Sequence, residues 1–253
     1  MHDSIGNFIR GTLASRRRSK LSRYLLRPLL RLLWRTLVMA GLLLTLLVFS
    51  LRAVDPPVWS WLIWRELSNP AGYPDEYRHQ WVDLEQIPVS VQLAVVAAED
   101  QRFPLHAGID LQAVRRALED ALDGKGLRGA STLTQQTAKN LFLWPGRDWV
   151  RKGLEAPLAL MLEGILGKRR ILELYLNIAE FAPGVYGVGA ASEYWYQRPL
   201  GQVTTDQAAR LAAILPNPWL YQAQPPSSYV RQKADWIREQ MRQLGPGWIE
   251  QLD

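Results

Sequence analysis

The sequence predicts a mainly α protein with room for one small hairpin, preceded by a single membrane-crossing helix. Three observations point there. Past position 85, apolar residues recur at helical spacing, with Ser, Thr or Asp where the runs start and Gly or Pro where they stop. Nowhere do several alternating, strand-like segments follow one another. Ahead of the helices, "TLVMAGLLLTLLVFSL", residues 36–51, runs without a charge.

The 253 residues suit one domain with appended segments, and 48% hydrophobic content supplies a sizeable core. Charge is unevenly spread. Residues 1–35 hold nine Lys and Arg against Asp3 alone, which leaves 21 bases and 23 acids for residues 36–253. A nucleic-acid binder would carry its excess on the folded domain. Here the excess abuts the apolar stretch. That stretch spans roughly 24 Å as a helix, and adding "LLWR", with Arg35 snorkelling toward headgroups, brings it to the ~30 Å of a hydrocarbon core. A buried core helix or a cleaved signal peptide would pass the same test, but the long basic arm favours an uncleaved anchor. The positive-inside rule puts the N-terminus in the cytoplasm. The expected organisation is a basic cytoplasmic arm over 1–31, an anchor over 32–54 and a domain over 55–253 on the far side. Trp59, Trp61 and Trp64 come next, and an interfacial belt and core packing account for them equally well. With no cysteine there is no disulfide, and with only His2, His79 and His106 a zinc site has no support.

The elements then follow in order. "VSVQLAVVAAED" is an apolar helix, with Ser90 as its expected N-cap. "DLQAVRRALEDALDGKG" starts at Asp110, repeats Leu111, Val114, Leu118 and Leu122, and stops at Gly124. "GLRGA" is a loop. "STLTQQTAKNLFL" starts at Ser131 or Thr132, and Thr132 with Gln135 fits a capping box. "WPGRDW" is a turn. The stretch from Arg151 to Phe181 is helical, with breaks or kinks expected at Gly153, Pro157 and Gly167. "APGVYGVGAAS" reads as a glycine-rich turn region. "TTDQAARLAAIL" opens with a second capping box, Thr204 to Gln207, and a closing amphipathic helix follows from Ser227.

Three constellations carry chemistry. The apolar helix ending at Glu99 and Asp100 sets carboxylates against its own dipole and beside apolar walls, which disfavours their charged form. On the next capped helix Thr132, Gln135, Gln136 and Lys139 share a face behind a glycine loop, a ready anion site, with Arg147, Arg151 and Lys152 close behind. Arg151 and Glu155 lie four apart, so a second carboxylate sits beside arginine. Carboxylates whose surroundings separate their pKa values can divide acid–base labour.

In this order, "EDQRFPLHAGID", "GASTLTQQTAKNLFL", "RKGLE" and "KRRILELYLNIAEFAPGVYGVGAAS", closed by "LAAILPNP", resemble the successive motifs of the family 51 glycosyltransferases, the peptidoglycan polymerases. The match runs from about residue 85 to 220. The anchor and the length are similar to the monofunctional branch of that family. No Ser-x-x-Lys occurs, so no transpeptidase activity is expected. Three positions depart from the usual pattern: Ala130 for a second glycine, Gly167 for serine and Gly189 for glutamate.

The resemblance implies a lysozyme-like helical domain with a small membrane-facing lobe. It implies polymerisation of lipid II into β-1,4-linked glycan with inversion and release of undecaprenyl diphosphate. Glu99 is then the general base. Lys139, Arg147 and Arg151, with Lys152 nearby, hold the diphosphate. Ser131, Thr132, Gln135 and Gln136 line the donor groove. Glu155 assists the leaving phosphate through a metal or a proton, or orients Arg151. Asp100 holds the loop or contacts the acceptor. His106 and Asp110 are a packed histidine and an N-cap, and Tyr175 and Asn177 position their helix under the cleft. Mg2+ or Mn2+ at the diphosphate is an expectation from diphosphate chemistry, although no dedicated cage is visible, and no organic cofactor is implied. The implied partners are lipid II, the lipid-linked glycan, the bacterial inner membrane and other wall-synthesis or division proteins. Two rival classes are a lysozyme-like hydrolase, against which the cation set argues, and a non-enzymatic lipid II-binding assembly factor, against which the two carboxylates argue.

Overall fold

The computed structural model describes the backbone of residues 3–124, 129–146 and 148–252, and side chains within these from residue 27 onward. Two units result, residues 1–47 and 48–253. In the first, basic arm and apolar stretch form one helix, α1 (Asp3–Ser50). Its Arg27–Ser50 part has a mean hydropathy of 2.1, is long enough to cross a bilayer, and leaves every leucine but Leu44 exposed. Exposure of that kind does not fit a buried core helix.

The second unit is mainly α. Its centre is α3 (Val89–Glu99), whose residues Val91 to Ala97 are buried. It packs against α9 (Thr205–Ile214) and α10 (Ser228–Leu244). Alongside, α5 (Leu133–Phe142) packs on α6 (Trp149–Leu166), α7 (Lys168–Ile178) and α2 (Ser60–Ser68). A three-stranded sheet holds one hairpin. In it β3 (Val185–Tyr186) pairs antiparallel with β2 (Glu180–Ala182) and parallel with β1 (Arg78–His79).

The expected caps at Thr132, Thr204 and Asp110 all form. Ser90 does not cap α3. Pro88 stands there, and the Gln92 side chain donates instead to the carbonyls of Leu84 and Ile87, at 3.0 and 2.8 Å. Of the three expected breaks only Gly167 interrupts the helix, at φ 76°, where a side chain would be strained. Pro157 stays inside α6, because the carbonyl its ring crowds belongs to Gly153, the residue with most backbone latitude.

One reading is corrected outright. The glycine-rich "GVGAAS" is no turn but the buried first half of α8 (Gly187–Tyr196). There glycine serves close approach: a Cβ on Gly189 would lie 2.9 Å from the Gln80 carbonyl oxygen and 2.9 Å from Val82 Cγ2. The apolar stripe of α4 (Leu111–Leu122) forms its helix as the spacing predicts, and its side chains are exposed among the described residues. Leu111, Val114, Leu118 and Leu122 are 44 to 80% exposed. The tryptophans split: Trp59 is core, against His79 and Tyr186, Trp61 is partly buried and Trp64 is exposed.

Candidate active site

The site grows from the end of α3. Asp100, its C-cap residue, turns its carboxylate to the N-terminus of α5, where Oδ2 accepts from Leu133 N at 3.0 Å and faces His106 Nε2 at 3.0 Å. The helix end read from sequence as an anion site thus already holds an anion, the protein's own. Thr132 and Gln135 complete that end. Thr132 Oγ1 donates to the Gly108 carbonyl at 2.6 Å and accepts from Gln135 N, while Gln135 Oε1 accepts from Thr132 N. Both are buried, and these polar atoms are engaged with the fold. Asp110 is the N-cap of α4 that the sequence suggests and pairs with Arg102 at 3.1 Å, while His106 is packed against Asp100 and Phe103.

Glu99, one residue earlier, points elsewhere. It is half-buried, and Oε2 accepts from Gln136 Nε2 at 2.8 Å. Loss of hydration raises its pKa above the usual carboxylate value; the Gln136 hydrogen bond, Lys233 and Lys139 pull the other way. Gln136 Oε1 in turn accepts from the Tyr175 hydroxyl at 3.0 Å. Asn177 is fully buried and ties α7 to both backbone groups of Val82.

Two cavities meet this bridge. One, of about 420 Å³, is lined by Glu99, Asp100, Arg102, Arg116, Ala130 and Ser131. The other, of about 400 Å³, is lined by Gln136, Lys139, Arg151, Tyr175, Arg65 and Trp61. Lys139 sits 4.9 Å from the Trp61 ring centre, and burial lowers its pKa against the opposing pull of Glu155. Arg151 and Glu155 form a buried ion pair. Lys152 reaches the second Glu155 oxygen at 2.7 Å and Ser131 Oγ at 2.7 Å. Arg151 Nε and Arg65 Nε are buried donors without a hydrogen-bond partner among the described residues. Arg147 lies outside the described residues.

Sequence reasoning missed part of this. Arg65 enters the second cavity from α2, held by Glu180 at 3.2 Å and flanked by the rings of Trp61 and Trp219 at 5.3 and 4.6 Å. Lys233 acts on Glu99 from α10. Neither carries a local signal, since each is one base on an ordinary helix. As for a metal, both Glu155 oxygens are taken by cations, and among the described residues no three His, Cys, Asp or Glu converge. The residues present do not fit a resident divalent ion.

A carboxylate short of water, set by one amide from buried cations in a second cavity, is suited to displacing an anionic leaving group. The family described as Transglycosylase matches residues 67–242. The chain belongs to this family. Among relatives named "Biosynthetic peptidoglycan transglycosylase", one from Shewanella amazonensis is 54% identical over 224 residues, covering 87% of this chain and 91% of its own. One from Aeromonas hydrophila is 51% identical, covering 83% and 89%, and one from Xanthomonas campestris pv. campestris 47%, covering 80% and 84%. Membership fixes the activity at the level of peptidoglycan transglycosylation, and the helical domain is the transglycosylase one.

Proposed function

We propose that this transglycosylase polymerises lipid II at the bacterial inner membrane, with its domain in the periplasm. The donor is the growing glycan, whose anomeric carbon bears undecaprenyl diphosphate. The acceptor is the 4-hydroxyl of the GlcNAc of an incoming lipid II. Glu99 takes the hydroxyl proton, and the oxygen attacks the anomeric carbon. The bond to the diphosphate breaks, and the leaving group departs with the electron pair. Attack opposite the leaving group turns an α link into a β-1,4 link.

The observation that carries this reading is the placement of Glu99 and the cations on the two sides of Gln136. The acceptor lies in the cavity of Glu99, and the diphosphate in that of Lys139 and Arg151. The orphaned Nε donors of Arg151 and Arg65 suit phosphate oxygens. Glu155 orients Arg151, its buried partner. Asp100, Thr132 and Gln135 hold the site from behind, and Lys152 ties Ser131 to α6. A divalent ion such as Mg2+ or Mn2+, if used, would come with the substrate diphosphate, because these residues offer it no cage. The exposed leucines of α4 suit the membrane-facing lobe, where a lipid-borne substrate arrives.

The test is incubation of the detergent-solubilised full chain with fluorescent lipid II. Wild type should give a muramidase-sensitive polymer ladder, and Lys139→Ala should not. No polymer from wild type across several detergents and divalent ions would sink the proposal.

A further inference from the structure

We propose that Tyr175 is a positioning residue for this reaction: its hydroxyl sets which way the Gln136 amide faces, and that amide holds the Glu99 carboxylate. The proposal rests on the reading of Glu99 as general base. Three helices supply the chain of contacts. Tyr175 on α7 donates to Gln136 Oε1 at 3.0 Å, and Gln136 on α5 donates through Nε2 to Glu99 Oε2, at the end of α3, at 2.8 Å. Tyr175 is buried, and among the described residues its hydroxyl has Gln136 as its hydrogen-bond partner.

An amide is nearly symmetric in shape, so packing alone barely distinguishes its two orientations. Chemistry does. Turned over, Gln136 would set Oε1 against the carboxylate, acceptor against acceptor. It would also ask the phenol to accept where it should donate. The phenol always has a hydrogen to give, since burial and then the Glu99 charge push its pKa far up. It therefore fixes Oε1 on its own side and leaves NH2 for the ionised base. Without it, the amide can turn and accept a hydrogen from a protonated Glu99. Tyr175 thus biases Glu99 toward the form that can take a proton. The other charges acting on Glu99 are Lys233 on α10, Lys139 on α5 and the adjacent Asp100, and none is altered by a change at position 175.

The experiment is a 13C-carboxyl NMR titration of the full chain in micelles, with the Glu99 signal identified by its loss in Glu99→Gln. In Tyr175→Phe the Glu99 midpoint should rise by roughly 0.5 to 1 pH unit, the size of one net hydrogen bond. Incorporation of 3,5-difluorotyrosine at 175 keeps the shape, strengthens the donor and should lower the midpoint. On a Gln136→Met background the Phe substitution should add nothing. A midpoint unmoved by both changes at 175 overturns the proposal, as does a Phe effect that survives Gln136→Met. The acid limb of the polymerisation rate should follow the titration. A titration that shifts while that limb stays put leaves Tyr175 holding the carboxylate and refutes Glu99 as the base.

Discussion

Replacing Glu99 by Gln should abolish turnover without harming the fold. The substituted amide keeps an oxygen where Gln136 Nε2 donates, so the 2.8 Å contact survives. What disappears is the proton acceptor. A positioned general base contributes about 10² to 10⁴ in rate, or about 3 to 5 kcal/mol of barrier. Stability should move the other way. The folded pKa of Glu99 is raised, chiefly by lost hydration, so the fold disfavours its charge. That penalty is absent below the unfolded pKa. It grows as pH rises through the unfolded value and is complete above the folded one. The neutral variant never acquires it. Near about pH 8 Glu99→Gln should therefore melt at or above the wild-type temperature, while near about pH 4 the two should converge. Polymer yield from fluorescent lipid II and thermal melts at both pH values check this. A rate within tenfold of wild type refutes the assignment. A lost rate accompanied by a lowered melting temperature at high pH refutes the reasoning on charge and fold.

Other outcomes follow from neighbouring residues. Asp100→Ala strips the α5 N-terminus of its acceptor and His106 of its partner, and should lower stability by about 1 to 3 kcal/mol in a chemical melt. Glu155→Gln leaves Arg151 buried without its carboxylate and should destabilise by about 3 kcal/mol while raising KM for lipid II. Gly189→Glu brings a side chain against the Gln80 carbonyl and Val82, and should lower stability by about 1 to 3 kcal/mol in a chemical melt. Changing Leu111, Leu118 and Leu122 together to Ser should weaken co-sedimentation with lipid vesicles and leave the melting temperature unchanged within about 2 °C, since exposed side chains add little to stability.

What the sequence revealed was local. Thr132 with Gln135, Thr204 with Gln207 and Asp110 declare their helix starts within three residues, and all form. Ser90 misled because the competing solution, Pro88 with Gln92 reaching back to Leu84 and Ile87, draws on residues either side of it. Glycine misled at 187 and 189 because composition cannot distinguish a turn from a helix pressed against its neighbour. The leucines of α4 announced a helix, but periodicity does not say what a stripe will face. In the site, Glu99, Gln136, Lys139, Arg151 and Glu155 were legible from their motifs. The wall of Trp61, Arg65, Glu180 and Trp219 was not, because it joins two side chains of α2 to partners more than a hundred positions further along the chain.

The α4 leucines also bear on how this protein is handled. They belong to the unit that begins at Val48, so they stay behind when the first helix is cut away. A truncated chain would lose its hydrophobic tail and still carry a greasy ridge of four exposed side chains, Leu111, Val114, Leu118 and Leu122. Its colloidal behaviour in plain buffer would then reflect this ridge rather than any fault in folding, and a detergent or a short-chain lipid would be a solvent for the domain itself.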